Sequence, residues 1–246
     1  MVKSNYLVIN SKHRTSLNDS TSKFSYSIGE SLEIQGYAVK SLSIPNVAVN
    51  INKYNNELNF LVNGFPRFIT VPPAQYRTST LIVALQAQLD LSGIVYVVSQ
   101  DPKSQHITIS GSVMTSWKTG GLGTKLGFTK NTVSQLSNTA QGLPQLMGTY
   151  NYFVGCVELV QGFNGLLKGG ERLPLFGDVN NNVPYGEIIH YEAQDFNLNV
   201  KSYERVQNIQ HLNFIIYDDD LNVVDLMGLD VEFVIKIYEA GAKELK

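Results

Sequence analysis

The last third of the chain alternates apolar and polar residues with a period of two. In the run from residue 231 to residue 238, every second residue is valine, phenylalanine or isoleucine, whereas Glu232 and Lys236 lie on the opposite face. An earlier run, His211–Tyr217, is also rich in β-branched and aromatic residues, and the polar turn Asp218–Asn222 follows it. This period is typical of half-buried strands. The chain therefore ends in a packed β-sheet.

The same signals recur along the chain and predict about nine to twelve short strands. Asn63-Gly64 lies between two apolar runs and predicts a tight hairpin, because both residues tolerate positive φ. Asp101–Ser104 predicts a second hairpin. The earlier predicted strands are Tyr6–Ile9, Phe24–Ile28, Tyr37–Ile44, Glu57–Val62, Phe65–Val71, Ile94–Val98, His106–Ser110, Tyr150–Val160, Ile188–Tyr191 and Phe196–Val200.

One helix is predicted, over about residues 79–91. Thr78 or Ser79 can cap its beginning, and Gly93 can end it. The segment Thr129–Gly148 is polar and irregular, which predicts an exposed loop. The helix has one apolar face, formed by Leu81, Ile82, Leu85 and Leu89.

Together these elements predict an all-β chain that folds as an antiparallel sandwich or barrel with long loops. Closure of that kind is favoured because isolated sheets leave open edges. The chain has 246 residues, which is compatible with one large β domain or two small ones. No linker composition is visible, so we predict a single domain over residues 1–246, with a polar N-terminal arm at residues 1–22.

Composition narrows the classes of function. Hydrophobic residues make up 43% of the chain, which is ample for a core, but only 16% are charged. Soluble domains usually contain about 25% charged residues, so part of this surface is expected to be covered by other protein. The net charge of −2 and pI near 6.1 argue against binding to nucleic acid, which normally requires a basic patch.

Further sequence features indicate where in the cell the protein is located and which chemistry it can perform. No apolar run is long enough for a transmembrane helix, and the N-terminus lacks the apolar stretch of a signal peptide. Cys156 is the only cysteine, which excludes an internal disulfide and a cysteine-based metal cluster and fits a reducing compartment. We predict no cofactor, no metal and no membrane insertion.

Two segments resemble binding loops only superficially. The glycine-rich run Gly121–Gly127 lacks the spacing of a phosphate loop and does not connect a strand to a helix. Asp218, Asp220 and Asn222 have calcium-loop spacing, but Val223 occupies the position that requires glycine. We therefore predict that Gly121–Gly127 forms a glycine turn and that Asp218–Asn222 forms a solvated hairpin turn.

Catalytic residues are not evident. Cys156 lies in an apolar run, where a buried inert thiol is favoured over a nucleophile paired with His190. The four histidines are scattered without ligand spacing. We therefore predict no catalytic residue and a protein that is not an enzyme. The 13 tyrosines and 11 phenylalanines leave a glycan-binding jelly roll open as an alternative.

The order of several motifs resembles a known family. It is similar to the penton, or minor capsid, proteins of viruses with double-jelly-roll major capsid proteins, such as virophages and Polinton-like elements. The resemblance spans most of the chain, although Pro72–Tyr76 lacks the glycine that often precedes the tyrosine and Phe163–Val183 matches nothing in the family. The motifs are Leu42–Asn46 followed by Tyr54-Asn55, Phe68–Thr78 leading through the helix and a hairpin to Leu126–Phe128, and Phe214–Asp219 followed by Val224–Gly228 and the last strand.

This resemblance implies a jelly-roll protein that forms homopentamers and plugs the five-fold vertices of an icosahedral virion. It also implies contact with the major capsid protein and assembly inside the infected host cell. The alternatives are a jelly-roll protein that binds a host glycan or attaches to a host, and an enzyme built on a β-sandwich.

Overall fold

The chain folds mainly into antiparallel strands. The computed structural model describes residues 4–16, 18–160, 167–168, 171–194 and 200–240. One helix of 13 residues lies close to the predicted position, and a helix of 4 residues follows later. The predicted all-β class with one helix near residues 79–91 is confirmed, and two antiparallel sheets are consistent with a jelly roll. Of the predicted strand Phe196–Val200, all but the last residue lies outside the described residues.

The strands and helices have the following bounds. The helices are α1 (Thr78–Asp90) and α2 (Leu122–Lys125). The strands are β1 (Ser4–Asn10), β2 (Lys23–Pro45), β3 (Glu57–Val62), β4 (Phe65–Thr70), β5 (Tyr96–Gln100), β6 (Ile107–Trp117), β7 (Gln135–Thr139), β8 (Asn151–Cys156), β9 (Leu167–Lys168), β10 (Glu171–Arg172), β11 (Leu175–Asn180), β12 (Ile188–Glu192), β13 (Lys201–Tyr217) and β14 (Glu232–Glu239).

Contacts divide the chain into two compact units. The discontinuous unit comprises Met1–Ala48 and Thr149–Lys246, and the inserted unit comprises Val49–Gly148. Each unit has its own hydrophobic core and its own main sheet. The single domain over residues 1–246 stays a prediction.

The discontinuous unit is organised around β2, which has 23 residues. The sequence predicted two strands in this region, Phe24–Ile28 and Tyr37–Ile44, but they are one continuous strand. Its length lets it pair with β13, β14 and β12 along successive parts of its two sides. The strand order of the sheet is β1-β14-β2-β13-β8-β11, with β12 also paired to β2.

Four phenylalanines show that this sheet curls onto itself. Phe176 of β11 and Phe233 of β14 have ring centroids 6.0 Å apart. In strand order β14 and β11 are four steps apart, which in a flat sheet would separate them by about 19 Å. Phe24 and Phe214, from the strands between them, fill the same centre at 5.3 Å from each other. Strands β14 and β11 therefore face each other across a shared core.

The segment at the N-terminus of this unit bonds to its own chain. β1 pairs with β14 over its whole length. Ser11, which is buried, donates its backbone N–H to the Val231 carbonyl at 3.0 Å and its hydroxyl to Asp230 at 2.8 Å. Much of the predicted arm at residues 1–22 thus lies against the last strand.

The inserted unit packs α1 against a five-stranded sheet of order β4-β3-β6-β5, with β7 also paired to β6. Leu81, Leu85 and Leu89 are fully buried, as the helical spacing predicted. The rings of Phe60 and Trp117 pack in a tilted arrangement in this core, with centroids 4.8 Å apart. Trp117 is the only tryptophan of the chain, so its fluorescence reports on this unit alone.

Two local predictions in this unit need correction. Helix α1 is capped by Arg77 rather than by Thr78 or Ser79, because the backbone N–H of Arg77 donates to the Thr80 hydroxyl at 3.0 Å. The predicted loop Thr129–Gly148 contains β7, which its polar composition concealed. Cross-strand hydroxyl bonds to β6, such as Ser110–Ser137 at 2.8 Å, replace the apolar contacts that would have signalled a strand.

Buried asparagines organise the chain where it passes from one unit to the other. In the inserted unit, the Asn50 amide donates to the carbonyls of Tyr76 and Leu146 at 2.7 and 2.8 Å and accepts from the Tyr76 N–H at 2.9 Å. In the discontinuous unit, Asn46 donates to the Val183 carbonyl at 2.8 Å and accepts from the Tyr152 hydroxyl at 3.1 Å. These amides satisfy backbone groups that irregular segments leave without partners.

The Asn63-Gly64 turn has the geometry that the sequence predicted. Asn63 and Gly64 have φ of 50° and 87°, and Val62 pairs with Phe65 across the turn. We expect Gly64→Val to destabilise the inserted unit by about 1 kcal/mol or more, because a β-branched residue resists positive φ. Urea unfolding followed by Trp117 fluorescence measures this change. Gly148→Val is the control, since Gly148 has open space and is not among the positive-φ glycines; equal effects would contradict the turn assignment.

Asn50 provides a second test of this unit. We expect Asn50→Asp to destabilise it by about 1–3 kcal/mol at pH 7, because a carboxylate oxygen would replace the donor that faces two carbonyls. The measurement is the same urea unfolding. Asn52→Asp is the matched control, since the Asn52 side-chain oxygen only accepts, from the Tyr54 N–H at 2.9 Å, and aspartate keeps that bond. A variant at Asn50 as stable as the control would show that the amide is not essential.

Candidate functional site

The glycine-rich run Gly121–Gly127 is a structural turn. It contains the four-residue helix α2, and the neighbouring Leu126 and Phe128 are fully buried in the core of the inserted unit. Gly127 has φ of 94°, and a Cβ at this position would overlap the carbonyl oxygen of Gly142. The glycines therefore allow close chain packing, and the loop lies against the core instead of forming an open cradle for a phosphate.

The acidic turn after β13 is held by its own hydrogen bonds. Asp218 is buried and accepts from the Asn222 backbone N–H at 2.8 Å. Asp219 accepts from the Asn151 backbone N–H at 3.0 Å, which ties the turn to the start of β8. Within the described residues, no group of three or more histidine, cysteine or acidic side chains is placed to hold a metal ion.

Cys156 and His190 occupy different settings. Cys156 lies on β8 and is 1% exposed, and burial with the nearby Glu158 raises the pKa of its thiol above the ordinary value. His190 lies on the exposed side of β12 and bonds through Nδ1 to the Ser43 hydroxyl at 2.9 Å. Burial also raises the pKa of the Tyr37 and Tyr152 hydroxyls to about 12. Cys156, Tyr37 and Tyr152 are therefore core components whose raised pKa values keep them protonated at neutral pH, whereas His190 lies at the surface.

The exposed aromatic residues are spread over both units. In the discontinuous unit, Tyr6 lies 5.2 Å from the Lys40 ammonium in a cation–π contact, and the Tyr185 hydroxyl contacts the Met227 sulfur. In the inserted unit, Phe65 and Phe68 are exposed on β4. None of these sets forms the cluster at one loop end that would favour a glycan site.

Uncovered strand edges are the most distinctive surface feature of the discontinuous unit. Among the described residues, β1 pairs only with β14, and β12 pairs only with β2. β1 has no charged residue, and its Tyr6 and Val8 are 52% and 54% exposed. β12 exposes Ile188 at 65% and ends with the exposed acid Glu192. Natural monomers usually protect such edges with charge, proline or a covering segment.

A groove on the inserted unit lies beside a third uncovered edge. Strand β4 pairs only with β3 in the described part of the chain. The groove has a volume of about 370 Å³ and lies between β4 and the end of α1, where Phe68 and Leu91 form apolar walls. Phe68 is 65% and Leu91 80% exposed. Arg67 also lines the groove, and its side chain has no ion pair or hydrogen bond among the described residues.

The surfaces that the sequence missed are therefore the edges of sheets. Arg67 and Glu192 each stand in a short apolar segment, and no local pattern distinguishes an edge strand from an internal one. The only signal in the sequence was the low charge content of the whole chain, which predicted that some surface is covered but did not show where. None of the described helices is long and apolar enough to cross a membrane.

Comparisons with known proteins identify a structural likeness. No protein-family model matches the chain. A search of curated proteins found no match. The structure is similar to the crystal structure of a selenomethionine-labelled mavirus penton protein, with a TM-score of 0.48 and 9% identity over 96% of this chain and 99% of that chain. That protein is of the class whose motif order the sequence resembles.

Asp218 gives a pH-dependent test of the acidic turn. Desolvation, with a smaller contribution from Asp220, raises its pKa above the ordinary value. Its folded-state pKa therefore exceeds the unfolded one, and its contribution to stability, present at low pH, is lost as pH rises through the folded pKa. We expect Asp218→Asn to keep the bond from the Asn222 N–H and to be more stabilised relative to wild type at pH 7 than at pH 4.

Thermal unfolding followed by circular dichroism at the two pH values measures this difference. The control is Asp225→Asn, because Asp225 is exposed and its oxygen accepts from the Met227 N–H at 2.8 Å, a bond that asparagine keeps. If the stability difference between Asp218→Asn and wild type is the same at pH 4 and pH 7, desolvation of the Asp218 carboxylate is not its cause.

Proposed function

We propose that this chain is a structural capsid protein, the penton subunit that forms pentamers at the five-fold vertices of an icosahedral virion. Its role is to pack against copies of itself and against the major capsid protein. The observation that carries the proposal is the uncovered edge of β1, which has neither charge nor proline, whereas the open edges of β4 and β12 contain Pro66, Arg67 and Glu192. Edges of this kind are stable in solution only when another chain or a protective feature covers them.

The nature of these edges favours permanent protein contacts. β1 is uncharged over seven residues, and the chain as a whole has a low charge content. Obligate interfaces are more hydrophobic than transient ones and commonly bury about 2,000 Å² or more. A surface that is poor in charge and presents open backbone groups suits that kind of contact.

A five-fold ring also requires heterologous contacts, in which one surface meets a different surface of the next copy. This chain presents different edges, an uncharged one on β1, an acidic one on β12 and a basic one on β4. The order of the sequence motifs supports the same assignment. We also propose that the chain is not an enzyme.

Electron microscopy of particles assembled with the major capsid protein tests this role. We expect density for this chain at the five-fold vertices. Native mass spectrometry of the purified chain, with and without major capsid protein, measures the number of copies, because the chain can remain monomeric until its partners supply binding energy. Location only in the particle interior, or absence from particles, would contradict the proposal.

A further inference from the structure

We infer that the turn Leu226–Leu229 of one copy inserts the Met227 side chain into the groove beside β4 of a second copy, where Asp225 pairs with Arg67. This inference rests on the proposed self-assembly and specifies one of its contacts. The contact is made by side chains, and it joins a turn that carries an apolar residue and an acid to a groove with apolar walls and an arginine.

The turn contains a residue that its backbone conformation does not favour. The Leu229 backbone N–H donates to the Leu226 carbonyl at 2.9 Å, and the central residues Met227 and Gly228 have φ of 53° and 78°. Positive φ at both central positions is the pattern of a type I′ turn, in which glycine, asparagine and aspartate predominate. A bulky side chain in this conformation costs stability.

A second turn of the same chain shows that methionine is not required for this geometry. Asn63 and Gly64 have φ of 50° and 87°, so that asparagine occupies there the position that Met227 occupies here. Met227 is also 54% exposed, and therefore gains little from burial within its own copy. We conclude that its side chain serves a contact outside the copy.

The turn is preorganised for such a contact. Leu226 is 1% exposed and holds the turn to the core of the discontinuous unit. The Asp225 carboxylate accepts the Met227 backbone N–H at 2.8 Å, which places the negative charge beside the methionine. Asp225 is exposed and has no ion pair among the described residues. Little conformational entropy is therefore lost on binding.

The groove beside β4 is complementary to the turn in shape and charge. Its volume of about 370 Å³ has room for an unbranched side chain, and its walls include the exposed Phe68 and Leu91. Methionine adapts to irregular gaps, and its sulfur makes favourable contacts with aromatic rings. Arg67 lines the groove without an ion pair in the described part of the chain. Its guanidinium can bind a carboxylate through charge-assisted hydrogen bonds.

The contact is heterologous, because the turn belongs to the discontinuous unit and the groove to the inserted unit. Each copy therefore offers one turn and one groove. Heterologous contacts generate a ring when the rotation between copies closes. A contact between identical surfaces, by contrast, would stop at a dimer.

Cross-linking between two different variants tests whether the turn meets the groove. One variant carries Leu229→Cys in the turn, and the other carries Ser92→Cys in the groove and an affinity tag that gives it a different mass. Both positions are exposed, and both variants carry Cys156→Ala, which removes the native cysteine. A short bis-maleimide, added with and without major capsid protein, should form the mixed dimer faster than either homodimer.

The cross-link is irreversible, so the mixed dimer accumulates even when association is weak. The control replaces Ser92→Cys by Val83→Cys, because Val83 is 70% exposed on α1 but does not line the groove. Equal rates for the two groove-side variants, or no mixed dimer under either condition, would overturn the contact.

Met227→Asn separates the role of the side chain from that of the turn. We expect this change to slow formation of the mixed dimer about tenfold or more, because the apolar side chain at the centre of the contact is lost. The melting temperature should stay the same or rise, since asparagine tolerates positive φ. The control is the reverse exchange, Asn63→Met, which should lower the melting temperature and leave cross-linking unchanged. Unchanged cross-linking in Met227→Asn would overturn the inference.

A double-mutant cycle tests the ion pair. Asp225→Asn keeps the bond from the Met227 N–H and removes the charge, and Arg67→Gln removes the opposite charge. Each change should slow cross-linking about threefold or more, and the two together should be no slower than either alone. Glu204→Gln and Lys103→Gln, exposed charges outside the turn and the groove, are the controls. Additive effects, or none, would overturn the pairing of Asp225 with Arg67.

The outcomes separate this contact from the broader function. Density for the chain at the vertices without any mixed dimer would overturn only the contact of the turn with the groove. A mixed dimer together with particles that lack the chain would support the contact and overturn the capsid role. Particles that lack the chain, together with no mixed dimer, would overturn both.

Discussion

The phenylalanine cluster of the discontinuous unit determines how its sheet can close. Phe24, Phe176, Phe214 and Phe233 come from four strands and meet with centroid distances between 5.3 and 6.4 Å. Aromatic pairs at such distances add stabilisation beyond the area that they bury. Because these contacts join β11 to β14, the sheet must curl.

Buried polar side chains stabilise irregular segments of this chain, whereas the phenylalanines fill a core. Asn46 and Asn50 are buried at 6% and 3% exposure and bond to backbone groups of irregular segments. An amide can donate and accept at once, which a charged side chain cannot do. Asparagine therefore stabilises buried, irregular segments within each unit without the desolvation penalty of a charge. This use of neutral polar residues is consistent with the low charge content of the chain.

The sequence predicted elements with strong local signals. The last strand, helix α1 and the Asn63-Gly64 hairpin were found because alternation, helical spacing and turn chemistry are local properties. The continuous β2 was missed, since Gly29 to Ser31 interrupts the apolar pattern and only distant partners hold the strand together. Strand β7 was missed because hydroxyl pairs stabilise it. The division into two units depends on long-range contacts that no segment reveals alone.

The candidate site consists of uncovered strand edges. It was the least predictable part of the structure, because it also depends on long-range contacts. An edge strand and an internal strand have the same local sequence requirements, and the difference lies in whether a neighbour is present. Low charge predicted that surface would be covered, but only the pairing pattern identifies where.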